Sequence, residues 1–352
     1  MMLLLSMLAS LLAVTPGRGQ IDAGDLVRTG IANANKLLAP YAAPVNKSFS
    51  ADLNGGWLTS GQAFKPGRFE FRVFGTAAFV PAKDETFDVT RIGLDATVQP
   101  ANPANKMAPT LFGEDEQGLP LEVYGTRPDT GERIRLASFN SAPGIGFQVA
   151  PLPMAQLHVG LAAKTELMVR FLPELRFSDN RIKMWGLGLK HNIGQWLPVI
   201  SELPIDVTAT AAYTFFRASD GLGVRPESGV SNPSPGDYST QRIGFDTKAW
   251  YASLVVSKTF PKALSTYGGL SYSRGVTETA LTGTYPVTVI RQQAPYNKEI
   301  VNLTDPVQLE FDHGQMGLTG GLRLKFGLVS FHVEGTWSQY STVGAGIGLG
   351  WN

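Results

Sequence analysis

The sequence predicts an all-β fold: a transmembrane antiparallel β-barrel of about 14 strands that follows a short N-terminal helical segment. Three observations lead to this fold class. Apolar and polar side chains alternate over long stretches, the N-terminus has the pattern of a secretion signal, and long and short connections alternate along the chain. No segment after residue 14 is apolar enough for a spanning helix, so a membrane location requires a closed barrel.

The alternation has a period of two residues, which is the spacing of a β-strand with one apolar face. Phe69, Phe71 and Val73 share one face, for example, and Glu70 and Arg72 share the other. Many stretches run for ten or more residues, longer than the roughly five or six of a soluble strand and close to the about 9–11 that cross a bilayer. The predicted strands lie at 48–58, 67–80, 87–98, 120–126, 132–140, 155–163, 165–175, 181–191, 204–217, 240–259, 263–275, 307–326, 329–338 and 341–351.

The last predicted strand indicates what the two faces of the wall meet. Between positions 343 and 351 its apolar residues alternate with four glycines. The apolar face suits lipid, and the glycine face leaves room in the lumen for a neighbouring element or a passage. A three-residue turn before this strand would place Gly346 opposite Glu334 and Gly348 opposite His332.

Residues 1–19 form the predicted signal peptide. The uncharged apolar run at 1–14 is shorter than the about 20 residues of a spanning helix. A small-x-small sequence at 17–19 supplies a cleavage site. No Lys or Arg precedes the apolar run, which leaves the true start codon open. We expect export, cleavage of the signal peptide and residence in the outer membrane of a Gram-negative cell.

A predicted amphipathic helix occupies residues 20–46, and the predicted barrel occupies 47–352. From Ile21 to Tyr41 the apolar residues recur at helical spacing, and Pro40 and Pro44 are expected to end the helix. The segment is too short and too charged to span lipid. It fits either a helix packed on the core or a plug that closes the periplasmic mouth of the barrel.

Connection lengths give an independent check, because outer-membrane barrels have short periplasmic turns and longer outer loops. If the last strand ends in the periplasm, the outer connections are 99–119, 141–154, 218–239 and 276–306, and the inner ones are 81–86, 127–131, 164, 192–203, 260–262 and 327–328. The longest connections then lie on the outer side, as the barrel requires.

Composition argues against several classes of function. Lys plus Arg total 30 and Asp plus Glu total 29, so the chain lacks the basic excess of a nucleic-acid binder. The absence of cysteine removes disulfides, thiolate chemistry and cysteine metal sites. The four histidines lack metal-ligand spacing, and we expect neither a metal site nor a cofactor. The acidic run Glu114, Asp115 and Glu116 fits a solvated loop better than a calcium loop.

We also predict that the protein is not an enzyme. Ser330, His332 and Glu334 alternate along one strand face, which fits a hydrogen-bond network in the lumen, with a hydrolase site as the alternative. The chain has no G-x-S-x-G nucleophile elbow, which argues against the hydrolase.

Ionisable residues on the predicted lumen faces are the candidate functional residues. They are Glu70, Arg72, Glu166, Arg170, Arg323, Lys325, His332 and Glu334. Such groups are costly within a membrane span unless they face water or each other. They form either salt bridges that stiffen the barrel or a polar constriction that selects solutes. A two-residue turn at 327–328 would place Arg323 opposite His332.

Two stretches resemble a Bacteroidota-type family of outer-membrane proteins with no assigned function: ANANKLLAPY with NGGWLTSGQAFKPGRFEFRVFGTAAFVPAKDETFDV, and IKMWGLGLKHNIGQWLPVISELPIDVTATAAYT. The chain also resembles, more loosely, the long-chain fatty-acid transporter superfamily of outer-membrane barrels. That resemblance implies about fourteen strands, an N-terminal plug and lateral release of an apolar ligand. No ligand-binding residue is carried over from it. Other members of the superfamily are partners of secretion machines, so kinship does not decide transport.

Two functions fit these features. The first is a passive channel or transporter for small apolar ligands, and the alternative is a structural or secretion-accessory barrel without transport activity. Outer-membrane lipid is the expected partner in both. A hydrophobic small molecule would join it in the first case, and other envelope proteins in the second.

Overall fold

The computed structural model describes residues 31–127, 129–177, 179–260, 263–290 and 298–351. The predicted signal peptide and residues 20–30 of the predicted helix lie outside these residues. The described strands are β1 (Phe69–Phe79), β2 (Thr86–Asp88), β3 (Val98–Pro100), β4 (Met107–Pro109), β5 (Pro120–Thr126), β6 (Arg133–Asn140), β7 (Val149–Leu161), β8 (Thr165–Phe177), β9 (Asn180–Asn192), β10 (Asp206–Gly221), β11 (Arg242–Thr259), β12 (Leu264–Thr282), β13 (Thr284–Ile290), β14 (Lys298–Thr304), β15 (Val307–Phe326), β16 (Val329–Trp337) and β17 (Thr342–Trp351). The described helices are α1 (Ile31–Asn54) and α2 (Pro198–Ser201).

Ten of the described strands close into one antiparallel barrel. Their order around the wall is β1, β17, β16, β15, β12, β11, β10, β9, β8 and β7, and β7 pairs with β1. Side chains alternate between the two faces of each strand, as the period-two pattern predicted. In β1, for example, Phe71 and Val73 are exposed on the outside, whereas Glu70 and Arg72 are buried in the interior.

The barrel has ten strands rather than about 14 because four predicted strands do not enter it. Residues 48–54 are helical, so the predicted strand at 48–58 is wrong. The stretches 87–98, 120–126 and 132–140 contribute instead to two small sheets outside the barrel, one of β2 and β4 and one of β3, β5 and β6. Short stretches of alternating apolar and polar residues fit a small half-buried sheet as well as a barrel wall, so the pattern could not distinguish the two.

The two ends of the barrel differ in their connections. At one end, which we call the short-connection end, residues 162–164 join β7 to β8 and residues 327–328 join β15 to β16. The opposite end, the long-connection end, carries residues 222–241, the β13–β14 hairpin and a region that we call the cap, residues 80–148. The cap follows β1 and contains both small sheets. The predicted inner turns at 81–86 and 127–131 therefore belong to the long-connection end, which corrects their assignment.

The outer surface of the barrel is apolar. Among its exposed side chains are Phe71, Leu187, Leu318 and Ile347, each at least half exposed. An apolar surface of this extent is unfavourable in water and suits lipid.

Aromatic side chains form a row on this surface. The rings of Trp185 and Tyr213 lie 5.4 Å apart, and those of Tyr213 and Trp250 lie 4.3 Å apart. Closer to the long-connection end, the outward side chains become charged, and Arg217 pairs with Asp246 at 2.5 Å. The change from aromatic to charged residues has the form of a membrane boundary.

The interior is filled by the chain that precedes β1. The 24 residues of α1 extend over about 36 Å at 1.5 Å per residue, and the helix contacts β1, β7, β11, β12 and β15. Phe49 and Leu53 of α1 are buried among apolar side chains of the wall, including Phe74, Met184 and Phe216. No described helix is both long and apolar enough to cross a membrane.

The helix continues through Pro40 and Pro44, where the sequence predicted that it would end. Each proline removes a main-chain donor. Tyr41 and Val45 are buried against the cap, in a cluster with Leu111 and other apolar residues. This burial offsets the local penalty, so packing outweighs helix propensity here.

The helix begins at the long-connection end. Asn33 Nδ2 donates to Asp95 of the cap at 3.0 Å, and the Tyr41 hydroxyl donates to the carbonyl of Pro143 at 2.9 Å. The chain then descends through the lumen and reaches the short-connection end, where Gly67 N–H donates to the carbonyl of Gly160 at 3.1 Å. Residues 31–41, the described part of the predicted plug, thus lie at the long-connection end, opposite to the end where β1 starts.

Candidate functional site

The candidate site is the buried polar half of the lumen, where the wall holds the end of α1 and the irregular chain that follows it. We call this part the lumen segment, residues 53–64. The chain passes Trp57 and Leu58, which are 1% and 0% exposed, on its way to β1. Of the eight ionisable residues predicted to face the lumen, seven are buried around this level, and Lys325 is half-buried near the short-connection end, opposite Ser330.

Glu70 is the centre of one group of buried charges. Its carboxylate accepts from Arg72 Nε at 2.5 Å, from Ser330 Oγ at 2.9 Å and from Arg323. The carboxylate is 0% exposed, so these donors replace the water that it loses on burial. This group ties β1 to β15 and β16 across the interior.

Glu166 is the centre of a second group. One carboxylate oxygen lies 2.9 Å from Lys190 Nζ and accepts from the main-chain N–H of Phe64 at 3.1 Å, and the other lies 2.6 Å from His158 Nδ1. Arg72 Nη1 lies 3.0 Å from His158 Nε2 and joins the two groups. Since arginine can only donate, His158 accepts at Nε2 and donates from Nδ1 to Glu166, which defines a neutral tautomer.

Arg170 binds the end of α1. Its Nη1 and Nη2 atoms donate to the carbonyls of Leu53 and Gly55 at 2.7 and 2.5 Å, and its Nε donates to Gln156 at 2.6 Å. The guanidinium also stacks over Trp57, 3.7 Å from the ring centroid. A planar cation with several fixed donors suits this double role better than lysine would.

Further wall residues bind the main chain of the lumen segment. Lys190 Nζ donates to the carbonyls of Ser60 and Gln62 at 3.3 and 3.2 Å. Thr208 Oγ1 donates to the carbonyl of Gly61 at 2.5 Å. On the opposite wall, Glu334 accepts from the N–H of Gly56 at 2.7 Å. We call five of the wall residues that bind this main chain the lumen clamp: Glu166, Arg170, Lys190, Thr208 and Glu334.

The clamp provides hydrogen-bond partners for main-chain groups that would otherwise be buried and unpaired. The last carbonyls of a helix and the main-chain groups of irregular chain lack the partners that a helix or sheet interior provides, and leaving them unpaired and buried is costly. Seven main-chain groups between residues 53 and 64 bond to the lumen clamp instead. At this level the polar side chains of the lumen therefore bind main-chain groups of the lumen segment and do not line an open passage.

Glycines of β17 give the buried charges their space. Gly344, Gly346 and Gly348 point inward, as the sequence predicted, but their register differs from the predicted one. His332 lies opposite Gly346 and Glu334 lies opposite Gly344. The predicted three-residue turn was wrong, because four residues, 338–341, separate β16 from β17.

The buried side chain of Tyr340 holds this turn. Its hydroxyl donates to Asp84 of the cap, and its main-chain N–H donates to Gln315 at 2.9 Å. Burial, together with the bond to Asp84, raises the pKa of Tyr340 well above the ordinary value. Contacts with the cap and a neighbouring strand thus determine the turn length, and local sequence does not show them.

Four residues of the site were not predicted from the sequence: Gln156, His158, Lys190 and Thr208. A usable signal existed, because each lies on the inward phase of a predicted strand. Thr208 and Gln156 are uncharged, and so a search for ionisable lumen residues passed over them. His158 and Lys190 are ionisable, and extending the same alternation rule to them would have placed both in the lumen.

The profile described as Family of unknown function (DUF6588) matches residues 1–351. The chain belongs to this family. The predicted resemblance to a family without an assigned function is confirmed to that extent, and no protein of curated function matches the chain.

The chain is also similar to solved structures at low identity. One is Ail, the attachment invasion locus protein of Yersinia pestis, with 8% identity, 81% of this chain and 98% of that chain covered, and a TM-score of 0.28. Another is the translocator domain of autotransporter NalP from Neisseria meningitidis, with 10% identity, 82% and 89% covered, and a TM-score of 0.26. A third is a Pseudomonas aeruginosa FadL homologue, with 11% identity, 89% and 94% covered, and a TM-score of 0.22.

The polar side chains in the lumen of this DUF6588 protein form hydrogen bonds and do not assemble the candidate hydrolase site. Ser330 donates to Glu70 rather than to His332, so the sequence pattern Ser330, His332 and Glu334 does not assemble as a hydrolase triad. His332 instead packs against Phe74, with ring centroids 6.1 Å apart. Among the described residues, no group of three or more histidine and acidic side chains is placed to hold a metal ion.

Replacing Gly348 by valine is expected to destabilise this DUF6588 barrel by about 1–3 kcal/mol, the usual cost of overpacking. A Cβ at Gly348 would lie 2.5 Å from Ser330 Oγ and 2.7 Å from the Glu70 carboxylate. The matched control is Ala345→Val on the exposed face of the same strand, which should change little. Urea unfolding in detergent micelles measures both, and equal effects would contradict the lumen packing.

Proposed function

We propose that this protein is an outer-membrane barrel whose lumen is occluded by its own N-terminal chain, and that it serves as a structural or secretion-accessory barrel rather than as an open pore. The lumen clamp is the observation that carries the proposal. Its charged side chains bind the main chain of residues 53–64 and leave it buried.

The apolar exterior supports the outer-membrane placement. Strands β7, β8 and β9 have 13 residues each, more than the about 9–11 needed to cross a bilayer. The outward side chains of β7 are apolar throughout, and Leu167, Val169 and Phe171 on β8 and Trp185, Leu187 and Leu189 on β9 continue this apolar surface. Outer-membrane lipid is the partner that such a surface requires. The predicted cleaved signal peptide belongs to the same proposal.

The filled lumen argues against passive transport of a solute. Phe49 and Leu53 occupy the apolar half of the interior, and Trp57 and Leu58 occupy the polar half, all four no more than 2% exposed. A solute could pass only if this chain left the barrel. Its departure would leave the seven bonded main-chain groups without partners and expose the apolar surface of α1. From the sequence, the lumen charges could form a polar constriction that selects solutes. In this proposal they bind the N-terminal chain of the protein instead.

The proposed partners are other envelope proteins, met at the cap or at the short-connection end. We propose no catalytic role and no cofactor, since the charged side chains of the clamp bind one another or the lumen segment. Nucleic acid is not among the proposed partners.

A second candidate function is binding of a small apolar ligand at the long-connection end. One observation favours it: an apolar pocket lies between α1 and the cap, lined in part by Leu37, Leu38, Tyr41, Phe87 and Pro109. Such a ligand would be held outside the clamp and would not need an open lumen. Mass spectrometry of extracts of the purified protein tests this candidate, and a small apolar compound retained by the wild type but lost in Leu38→Gln would support it.

The proposed function predicts that the full-length protein gives no discrete channel current in planar bilayers. Insertion is checked independently, since a folded barrel should migrate differently on a denaturing gel before and after boiling and should resist carbonate extraction from membranes. Stable single-channel steps from protein that passes these checks would overturn the occluded barrel. Release by carbonate without a heat shift would overturn the membrane placement.

A further inference from the structure

We infer that the link between β9 and β10, residues 193–203, binds anionic phospholipid in the periplasmic leaflet of the outer membrane. We call this link the base segment. Its apolar side chains insert among the lipids, and Lys164 and Lys258, which flank it, bind the phosphate groups. This binding rests on the proposed outer-membrane placement and adds to it the lipid chemistry that one part of the surface recognises.

The base segment folds back over the outer face of the wall. His191 of β9 lies on the same outward face as Leu187 and Leu189. The indole Nε1 of Trp196 donates to His191 Nε2 at 3.0 Å, and the two ring planes are 27° apart. Trp196 therefore lies on the lipid side of the wall. The link also lies at the short-connection end, which faces the periplasm in outer-membrane barrels.

Close contacts hold the base segment on this outer face. A Cβ at Gly194 would lie 3.1 Å from Ile200 Cγ2 and 3.2 Å from the main-chain nitrogen of Val207 at the start of β10. Gln195 Nε2 donates to the carbonyl of Ala163 in the β7–β8 turn at 2.8 Å. The segment is thus fixed to the turn on one side of it and to a strand on the other.

The side chains that the base segment leaves uncovered are largely apolar. The exposed fractions are 67% for Trp196, 43% for Leu197, 77% for Val199 and 48% for Leu203. These side chains continue the apolar surface of the wall towards the periplasm, and an exposed apolar surface of this kind is unfavourable in water. A tryptophan with a bonded N–H and an exposed ring is also typical of a membrane–water interface.

Two lysines determine which lipid headgroup the site prefers. Lys164 is exposed in the β7–β8 turn, and its carbonyl accepts from the main-chain N–H of Asn192, directly before the base segment, at 3.1 Å. Lys258 is exposed on the outward face of β11 and follows Ser257, which pairs with Asp206 of β10. Because a lysine lies on each side of the inserted segment, negatively charged headgroups are attracted to it.

A phospholipid fits this surface better than a soluble protein partner. The base segment contains one acidic residue, Glu202, so the two flanking lysines leave a net positive charge at the site. Its apolar side chains are also continuous with the outward face of β9, where Leu189 is 48% exposed. A soluble protein could cover the segment only by displacing lipid from that face.

Insertion is tested with single-cysteine variants carrying the fluorophore bimane, because the natural chain has no cysteine. The full-length protein is reconstituted in liposomes of phosphatidylethanolamine and phosphatidylglycerol. Val199→Cys reports on the base segment, Leu187→Cys on the wall, and Gln62→Cys on an exposed position near the short-connection end. We expect lipid with brominated acyl chains to quench the first two labels, and aqueous iodide to quench the third.

The outcomes separate the inference from the proposed function. Quenching by brominated lipid at Leu187→Cys but not at Val199→Cys would overturn lipid binding by the base segment and leave the membrane placement standing. The same holds if Val199→Cys is shielded from both quenchers, since a second copy of the chain would then cover it. Absence of quenching by brominated lipid at Leu187→Cys would overturn the placement itself. Each variant is first checked for the heat shift of a folded barrel, and Leu197→Cys replaces Val199→Cys if the latter fails.

The headgroup preference is tested by native mass spectrometry of the protein with equal amounts of phosphatidylglycerol and phosphatidylethanolamine. Lys164→Gln and Lys258→Gln should each lower the ratio of bound phosphatidylglycerol to bound phosphatidylethanolamine about fivefold. The matched control is Lys248→Gln, which changes a 53% exposed lysine on the same face of β11 but nearer the long-connection end, and it should leave the ratio unchanged. Equal effects of all three variants, or none, would overturn the assignment of the two flanking lysines.

Discussion

Replacing Glu166 by glutamine is expected to lower the free energy of unfolding of the barrel by about 3–5 kcal/mol, the usual cost of leaving one member of a buried ion pair alone. Both Glu166 and Lys190 are 0% exposed, and their charged atoms lie 2.9 Å apart. The neutral amide leaves the Lys190 ammonium buried without a counter-charge. Urea unfolding in detergent micelles, followed by tryptophan fluorescence, measures the loss.

Two further variants determine whether charge pairing causes the effect. Asp246→Asn removes a partner from the exposed pair with Arg217, whose side chains are 30% and 49% exposed, and should cost at most about 1 kcal/mol. The double variant Glu166→Leu with Lys190→Leu removes both buried charges and should recover part of the loss. Recovery is incomplete because the carbonyls of Ser60 and Gln62 lose their donor. Equal losses for Glu166→Gln and Asp246→Asn would contradict the clamp.

The faces of the barrel wall could be predicted from the sequence because alternation is a local property. A strand with one apolar face shows which side chains point inward without any knowledge of its neighbours. For this reason Glu70, Arg72 and Arg323 were assigned to the interior. The pairing of Arg323 with His332 was also predicted, and the structure confirms it, because the two-residue turn at 327–328 fixes that register locally.

The strand count could not be predicted because it depends on contacts that are distant in sequence. Whether a short strand such as β5 joins the wall or a small sheet is decided by its pairing partners. In the structure those are β3 and β6, and the sheet packs on Leu37 of α1. The helical state of residues 48–54 has the same kind of cause, since Phe49 and Leu53 are stabilised by side chains from strands far along the chain.

The candidate site, like the fold, could be predicted from the sequence only in part. Sequence indicated which charged side chains face the lumen, but it left open whether they meet one another, water or another part of the chain. That question depends on what occupies the interior. The occupant is the end of α1 and the chain that joins it to β1. Arg170 and Lys190 recognise its main-chain carbonyls, which no side-chain pattern reveals.

Deleting residues 21–64 from the mature protein is expected to convert a closed barrel into a channel with discrete current steps in planar bilayers. A helix with its side chains is about 10–12 Å wide, so its removal leaves a passage of that order, sufficient for hydrated ions. Arg72, Arg170 and Lys190 then face water, which relieves their need for buried partners. With Arg323, these cations outnumber Glu70, Glu166 and Glu334, so the open channel should prefer anions, as the sign of the reversal potential in a salt gradient will show.

The matched control is the shorter deletion of residues 21–41, which removes the predicted plug but keeps Phe49, Leu53 and the lumen segment. It should remain closed, because the described part of the deleted stretch packs against the cap rather than inside the clamp. Both variants must first show the heat shift of an assembled barrel. Current through the shorter deletion would mean that the first half of α1 and the cap close the barrel. An assembled but silent 21–64 deletion would mean that the cap alone does so, and the clamp would then serve to hold the chain in place rather than to exclude solutes.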